Sequence, residues 1–402
     1  MSSSQALRQV FLQPNKRASH LGRHPWILAS SIVEPASKCE LGEQVDLIQG
    51  DGKWVGRGLY NPHSRIRVRM YTWDPNEWID GDWIARRIDR AIELRRILER
   101  QSQHDAMRIV FSEADQLSGL VVDRFGEHLV IQLTAGVLAP FMDRIVERLS
   151  HHLQPASISI QTDGKTAQNE GIEVRDEVVL GTLPAEPVTI HENGLLWRID
   201  LQAGQKTGYY LDQRDNRMAA ARWAPENGRI LDVCTYAGGF ALTIAKHTAG
   251  AQITAIDSSA KALELARENA LLNGLQEKIE WEQADFLDAM SARLDRGELY
   301  DMIVLDPPRL AGSREHVQRA LHAYHRLNYL ATRTLRPGGI LVTCSCSGRV
   351  TREDFREMLQ GVAVRARREM QILENRGPSA DHPVAIHCPE TDYLKCFIAR
   401  VL

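Results

Sequence analysis

Beyond Asp212 the chain repeats one pattern of short apolar runs alternating with stretches of helical spacing, and the first four runs each deliver an aspartate. The runs are RILDVCTY, QITAID, IEWEQAD, YDMIVLD and GILVTCSC, with helices expected up to about His247, over about Ala260–Asn273 and over about Glu315–Leu335. A helix between two strands returns the chain to the same end of a sheet, so such strands run parallel. An α/β, doubly wound domain follows. The hairpin VTIHENGLLWRIDL, on an Asn-Gly turn, leads into it and sets its limits at residues 187–402.

Two segments precede it. In residues 1–75, QVDLIQGDGKWVGRGLYNP alternates apolar and polar residues about an Asp-Gly turn, and RIRVRM alternates again. Short strands of this kind predict a small barrel or open sheet. Residues 76–186 open with the proline break of YTWDPNEWID and a helix from about Trp83 to Gln101, with Ile84, Ile88, Ala91, Leu94 and Leu98 on one face. The hairpin SGLVVDRFGEHLVIQLT turns at Phe125, Gly126 and Glu127; a helix at about Ala139–His152 and a strand near ASISIQT complete a small α+β unit.

The bulk numbers narrow the setting. With 43% hydrophobic and 25% charged residues over 402 positions, the chain can bury several cores and is neither disordered nor fibrous. No run of about 18 apolar residues would span a membrane, and the N-terminus lacks a signal-peptide core. The six cysteines show no zinc spacing, which predicts no metal and a reducing cytoplasm. A net charge of −3 does not announce a nucleic-acid binder, although basic residues cluster at Arg65, Arg67 and Arg69 and again from Arg86 to Arg100. Those clusters matter only if something else implies RNA.

In open α/β sheets ligands lie beyond the carboxyl ends of the strands. The first strand delivers Asp232 and the loop CTYAGGF, with Tyr236 and with Gly238 permitting close backbone approach. The second ends at Asp257, where an acid can accept both hydroxyls of a ribose. The third delivers Asp285 and Phe286 beside the place of an adenine, and the fourth Asp306. One such acid would read equally well as a helix N-cap; four in succession point to a ligand. The glycine fingerprint of dinucleotide binding is incomplete, and an acid stands where a pyrophosphate would pass. A cationic ligand suits that loop, and S-adenosylmethionine carries both a sulfonium and an ammonium. The pattern resembles a class I methyltransferase.

VLDPPRL resembles the Asp-Pro-Pro motif of methyltransferases that act on planar nitrogens or bases, its prolines stiffening the loop that carries Asp306. On the same rim lies TCSCSG. Carbon 5 of a pyrimidine is barely nucleophilic, and a thiolate adding to C6 makes it enamine-like, dividing one hard step into easier ones. By strand geometry either Cys344 or Cys346 can approach the site.

LQAGQKTGYYLDQRDNR, CTYAGGF, DPPRL, SCSG and the tail ADHPVAIHCPETDYLKCF together resemble the 23S ribosomal RNA (cytosine-C5)-methyltransferase family, over nearly the whole chain. The resemblance implies an RNA-binding PUA domain at residues 1–75, a middle α+β domain at 76–186 and a Rossmann-like methyltransferase domain at 187–402. It implies Cys346 as nucleophile, with Cys344 in packing, and Asp306 against the N3/N4 edge of the base. It places Lys206, Tyr210, Asp212, Gln213 and Arg214 about the cofactor pocket, and 23S rRNA as partner. The base that takes the C5 proton is not identified; Asp381, His382 and Glu390 are candidates that equally read as structural. In QTDGKTAQNEGIEV only the Glu-Gly pair keeps the family pattern. With RNA implied, Arg65, Arg67 and Arg69 become a candidate phosphate stripe. Two rivals stand beside this reading: methylation of a guanine nitrogen, which needs no Cys346, and a non-catalytic RNA-binding assembly factor. The oligomeric state, a homodimer included, stays open.

Overall fold

The computed structural model describes residues 7–14, 22–35, 38–100, 104–201, 209–311 and 316–402. The chain forms two compact units, one of residues 1–188, 200–208 and 381–391, the other of 189–199, 209–380 and 392–402.

In the first unit, β1 (Arg8–Leu12), β2 (Trp26–Leu28), β3 (Ile32–Val33), β4 (Gln44–Ile48), β5 (Trp54–Tyr60) and β6 (Ile66–Thr72) form one sheet in the order β2-β6-β5-β4-β1-β3. Period-two alternation turns Val10, Val45, Leu47 and Val68 into its core. Helix α1 (Gly81–Glu99) starts where the Asp80 carboxylate accepts from Trp83 N at 2.7 Å, and it buries Trp83, Ile84, Ile88 and Ala91. Strands β7 (Ala106–Phe111), β8 (Leu120–Phe125) and β9 (His128–Leu133) follow, then α2 (Met142–Leu153), β10 (Ser157–Gln161), α3 (Gly164–Glu170) and β11 (Asp176–Gly181). The five strands are ordered β11-β10-β9-β8-β7. Neither β7, β11 nor α3 was expected. The run AMRIVF suits strand and helix alike, and β11 is exposed along nearly its whole length, so it has no apolar face to read.

The basic run RIRVRM does not form a free phosphate stripe. Arg69 is buried, donating to Ser118 Oγ at 3.0 Å and pairing with Glu170 at 3.3 Å, and Arg67 reaches Glu34 at 3.2 Å. Of the three, only Arg65 is exposed. Arg95 of the second basic run is likewise buried, against Asp115 at 2.7 Å.

The second unit begins with the expected hairpin, β12 (Val188–Glu192) and β13 (Leu195–Ile199), and continues through α4 (Arg214–Trp223), β14 (Arg229–Val233), α5 (Gly239–His247), β15 (Gln252–Asp257), α6 (Ala260–Leu272) and β16 (Ile279–Gln283). Then come α7 (Phe286–Asp295), β17 (Tyr300–Leu305), α8 (Val317–Thr334), β18 (Leu335–Ser345), α9 (Arg352–Ala366), β19 (Met370–Arg376) and β20 (Lys395–Val401). Its sheet is ordered β16-β15-β14-β17-β18-β20-β19, parallel from β16 to β18 and antiparallel at β20 and β19. Leu231, Ile303, Leu305 and Leu341 are fully buried in it. The Rossmann-like α/β expectation holds. Strand order reverses between β14 and β17, which opens a crevice at their carboxyl ends.

Candidate active site

The parallel strands bring Asp232, Asp257, Asp285, Asp306 and Cys346 to one end of the sheet, each inside or within two residues of its strand. The thiol of Cys234, just past β14, registers their convergence. It is pushed up by burial first, then by the charges of Asp257, Asp306, Asp232 and Asp285.

Asp232 is fully buried. Its Oδ2 accepts from Thr235 Oγ1 at 2.6 Å and from Ala241 N at 3.0 Å, whereas its Oδ1 has no hydrogen-bond partner among the described residues. Burial above all pushes this carboxyl up to about 6. A buried carboxylate oxygen without a donor is costly, so it marks a place where a ligand cation would be welcome. Asp257 is fixed by Tyr236 N and Ser259 N, both at 2.9 Å, which ties the first loop to the end of β15. Asp285 does act as an N-cap, accepting from Leu287 N at 2.9 Å and Asp288 N at 3.3 Å, and Phe286 packs against the sheet core.

The loop after β14 holds three left-handed residues, Cys234 (φ 63°), Tyr236 (φ 52°) and Gly238 (φ 84°). Two of them carry side chains, and strain of this kind collects at ligand sites. A Cβ on Gly238 would lie 3.0 Å from both Leu242 and Trp281. Gly238→Ala is therefore expected to lose about 1–2 kcal/mol of stability, from the left-handed backbone alone, together with cofactor affinity; urea denaturation and calorimetric titration check both. An orphaned carboxylate oxygen, a glycine turn with little room for a side chain and an anchored acid at the next strand end fit S-adenosylmethionine.

On the opposite side of the loop Tyr210, 41% exposed, meets Tyr236 edge-to-face at 5.4 Å. Its phenol is pushed up to about 12, first by burial and then by the charges of Cys346, Asp306, Asp212 and Asp257. Asp212 Oδ2 accepts from the Tyr393 hydroxyl, while its Oδ1 is buried without a hydrogen-bond partner among the described residues. Buried Gln213 donates to Asp306 Oδ1 at 3.0 Å and accepts from Asn216 at 2.7 Å. The Asp306 carboxyl, half-buried on its rim, is pushed up to about 7 by desolvation and then by Asp212. Arg214 is buried at the start of α4, and Lys206 lies outside the described residues.

Arg217 was not anticipated. It donates to Glu192 Oε1 and the Tyr209 hydroxyl, each at 2.7 Å, and to the Tyr210 carbonyl at 2.6 Å, which fixes the segment carrying Tyr210. An arginine inside a polar helix gives no sign in sequence that it will be buried.

Cys346 stands one residue past β18, half-buried. Its two serine neighbours are both tethered. Ser345 Oγ donates to the Tyr324 hydroxyl at 3.0 Å, and Ser347 Oγ accepts from Leu310 N and Ala311 N at 3.2 Å. The SCS triplet is thereby bound to the loop that carries Asp306. Cys344 is fully buried opposite Cys396, whose thiol, followed by burial, pushes that of Cys344 well up. Buried Lys395, which was not anticipated, donates to the carbonyls of Ser347 and Tyr393 at 2.8 Å.

Asp381, His382 and Glu390 belong to the first unit and have structural partners there. Asp381 accepts from Arg108 N at 3.0 Å and pairs with His382 at 3.1 Å, and Glu390 pairs with His24 at 3.0 Å.

The pattern of a PUA-like domain matches residues 10–73, and that of an S-adenosylmethionine-dependent methyltransferase matches residues 144–378. Ribosomal RNA large subunit methyltransferase I of Escherichia coli K12 is 37% identical over 395 residues, covering 98% of this chain and 99% of its own; the protein of that name from Escherichia coli O157:H7 gives the same figures. A provisionally assigned methyltransferase solved with SAH superposes with a TM-score of 0.85 at 16% identity, over 98% of this chain and all of that one. A provisionally assigned SAM-dependent methyltransferase from Streptococcus mutans gives 0.84 at 15% over the same shares. At such identities these structures speak for the fold.

Proposed function

The chain belongs to the S-adenosylmethionine-dependent methyltransferase family, of the ribosomal RNA large subunit methyltransferase I type, and from that premise we propose that it methylates C5 of one cytosine in 23S ribosomal RNA through a covalent Cys346–C6 adduct. The observation that supports this most is the SCS triplet, tied through Ser347 to the Asp306 loop at the end of the sheet where the acids converge. A methyl group on a guanine nitrogen would call for no cysteine there.

When bound, S-adenosylmethionine supplies an electrophilic methyl group and leaves as S-adenosylhomocysteine. Asp232 would face its cationic end, Asp257 the ribose, and Asp285 with Phe286 the adenine, while Tyr210, Tyr236, Gly238, Asp212 and Gln213 shape the pocket. The Cys346 thiolate gives its electron pair to C6, forming the S–C6 bond and moving the C5=C6 electrons through the ring toward N3. Asp306, held by Gln213, donates its proton to N3 as charge collects there. C5, now enamine-like, takes the methyl group. A base then removes the C5 proton, the S–C6 bond breaks, and the N3 proton returns to Asp306. Because Asp306 sits near 7, it can move that proton in either direction at neutral pH.

Residues 1–75 are read as the RNA-binding PUA domain, 76–186 as the middle domain and 187–402 as the catalytic domain of a cytoplasmic enzyme. Among the described residues no helix is long and apolar enough to cross a membrane.

The test is rRNA in which 5-fluorocytosine replaces cytosine. Fluorine cannot leave C5 as a proton does, so a covalent enzyme–RNA adduct should accumulate when cofactor is present. Methyl transfer to ordinary rRNA without such an adduct would move the target to a nitrogen.

A further inference from the structure

We propose that Lys395 is the counter-charge of Cys346 and holds that side chain as a thiolate in the resting enzyme, an inference that rests on reading Cys346 as the nucleophile. Lys395 opens β20 opposite Ser345 of β18, and no part of it reaches solvent. Its ammonium donates to the carbonyl of Ser347, the residue after Cys346, and to that of Tyr393, both at 2.8 Å. Carbonyl groups solvate an ammonium without neutralising it, and a buried charge calls for an opposite one.

The acids near Lys395 are already engaged. Asp392 accepts from Arg352 at 2.8 Å, and Asp354 closes the cap of α9 by accepting from Thr351 N at 2.8 Å. Of the groups facing Lys395, Cys346 does most to favour its charge, ahead of Asp392 and Asp354, while Arg352 opposes it. Burial still pulls the ammonium down to about 8. Tyr210 and Tyr324 also feel the charge of Cys346. Each is pushed up to about 12 and stays neutral, and Asp306, near 7, is an anion at most. Lys395 is therefore a positive charge placed to favour a thiolate over a thiol, which is what activates a cysteine nucleophile. It acts through Cys346, as a positioning residue.

The test is alkylation of the full-length enzyme by iodoacetamide, without RNA or cofactor, from pH 5.5 to 9.5, with labelling of the Cys346 peptide followed by mass spectrometry. In the native enzyme the rate should reach half its maximum below the ordinary thiol value of about 8.5. Lys395→Met should move that midpoint up by about one pH unit and slow labelling at pH 7 about tenfold, while Lys395→Arg, which keeps the charge, should stay closer to native. A folded Lys395→Met with the native profile would reduce Lys395 to a staple between carbonyls and overturn the pairing. Should that variant melt early, the native profile decides alone, since a midpoint at or above about 8.5 also overturns it. A low midpoint without a 5-fluorocytosine adduct would leave the pair standing and remove the C5 reaction; an adduct with an ordinary midpoint would do the reverse.

Discussion

Cys346→Ser should lose methyl transfer by at least about a thousandfold, the scale seen when a nucleophile is removed from a site that is otherwise intact. S-adenosylmethionine and rRNA should bind almost as before. The substitution is nearly isosteric, and the two serines that hold residue 346 keep their own partners, Tyr324 on one side and the Leu310–Ala311 amides on the other. What changes is the nucleophile: a hydroxyl is not ionised near neutral pH. Cys344→Ser separates position from chemistry. Cys344 lies two residues earlier, fully buried and paired across the strands with Cys396. A hydroxyl there costs about 1–3 kcal/mol if it stays unpaired, which would show in thermal melting and leave most of the turnover. Single-turnover transfer to rRNA, read beside the melting temperature, distinguishes the two variants. If Cys344→Ser is dead and Cys346→Ser active, the roles exchange.

How far the sequence carried this site depends on how local its signals are. A strand-end aspartate is a local signal, because strand, acid and turn are contiguous; Asp232, Asp257, Asp285 and Asp306 could be placed before any contact was known. Asp285 shows the limit of that logic, since the acid expected near an adenine also caps α7. The serines beside Cys346 were visible as letters but not as tethers, because their partners lie 21 to 37 residues away. Lys395 is the extreme case. By residue type it belongs on the surface, and only the antiparallel pairing of β20 with β18, about 50 residues apart in the chain, carries it inside. Strand β20 itself is buried because it lies between two neighbours in the sheet, a fact of topology and not of pattern. The basic run of β6 misled for the related reason that alternation shows which residues share a face, but not what covers that face. Arg69 meets Glu170, about 100 residues away.

Asp232→Asn should weaken S-adenosylmethionine binding about 10- to 100-fold, the worth of a hydrogen bond to a charged group. The asparagine keeps an oxygen for Thr235 and Ala241 N, so the turn after β14 survives and the loss reports on the charge. The same carboxyl makes a pH prediction whose sign is fixed by its surroundings. Its folded value, about 6, lies above the ordinary aspartate value. Its contribution to the stability of the free protein is thus complete below the unfolded value and is lost as pH rises through about 6. A cationic ligand selects the ionised form. The rise in melting temperature produced by S-adenosylmethionine should therefore grow between pH 5 and 7.5, where the carboxyl becomes ionised and is most costly to bury alone. Asp306, near 7, titrates in the same window, so the comparison that counts is native protein against Asp232→Asn, which retains Asp306. The variant should lose most of that growth. If it instead binds cofactor as tightly as the native protein at pH 7.5, the unpaired oxygen of Asp232 faces something other than the cofactor. The pocket would then have to be rebuilt around Asp257 and the orphaned oxygen of Asp212.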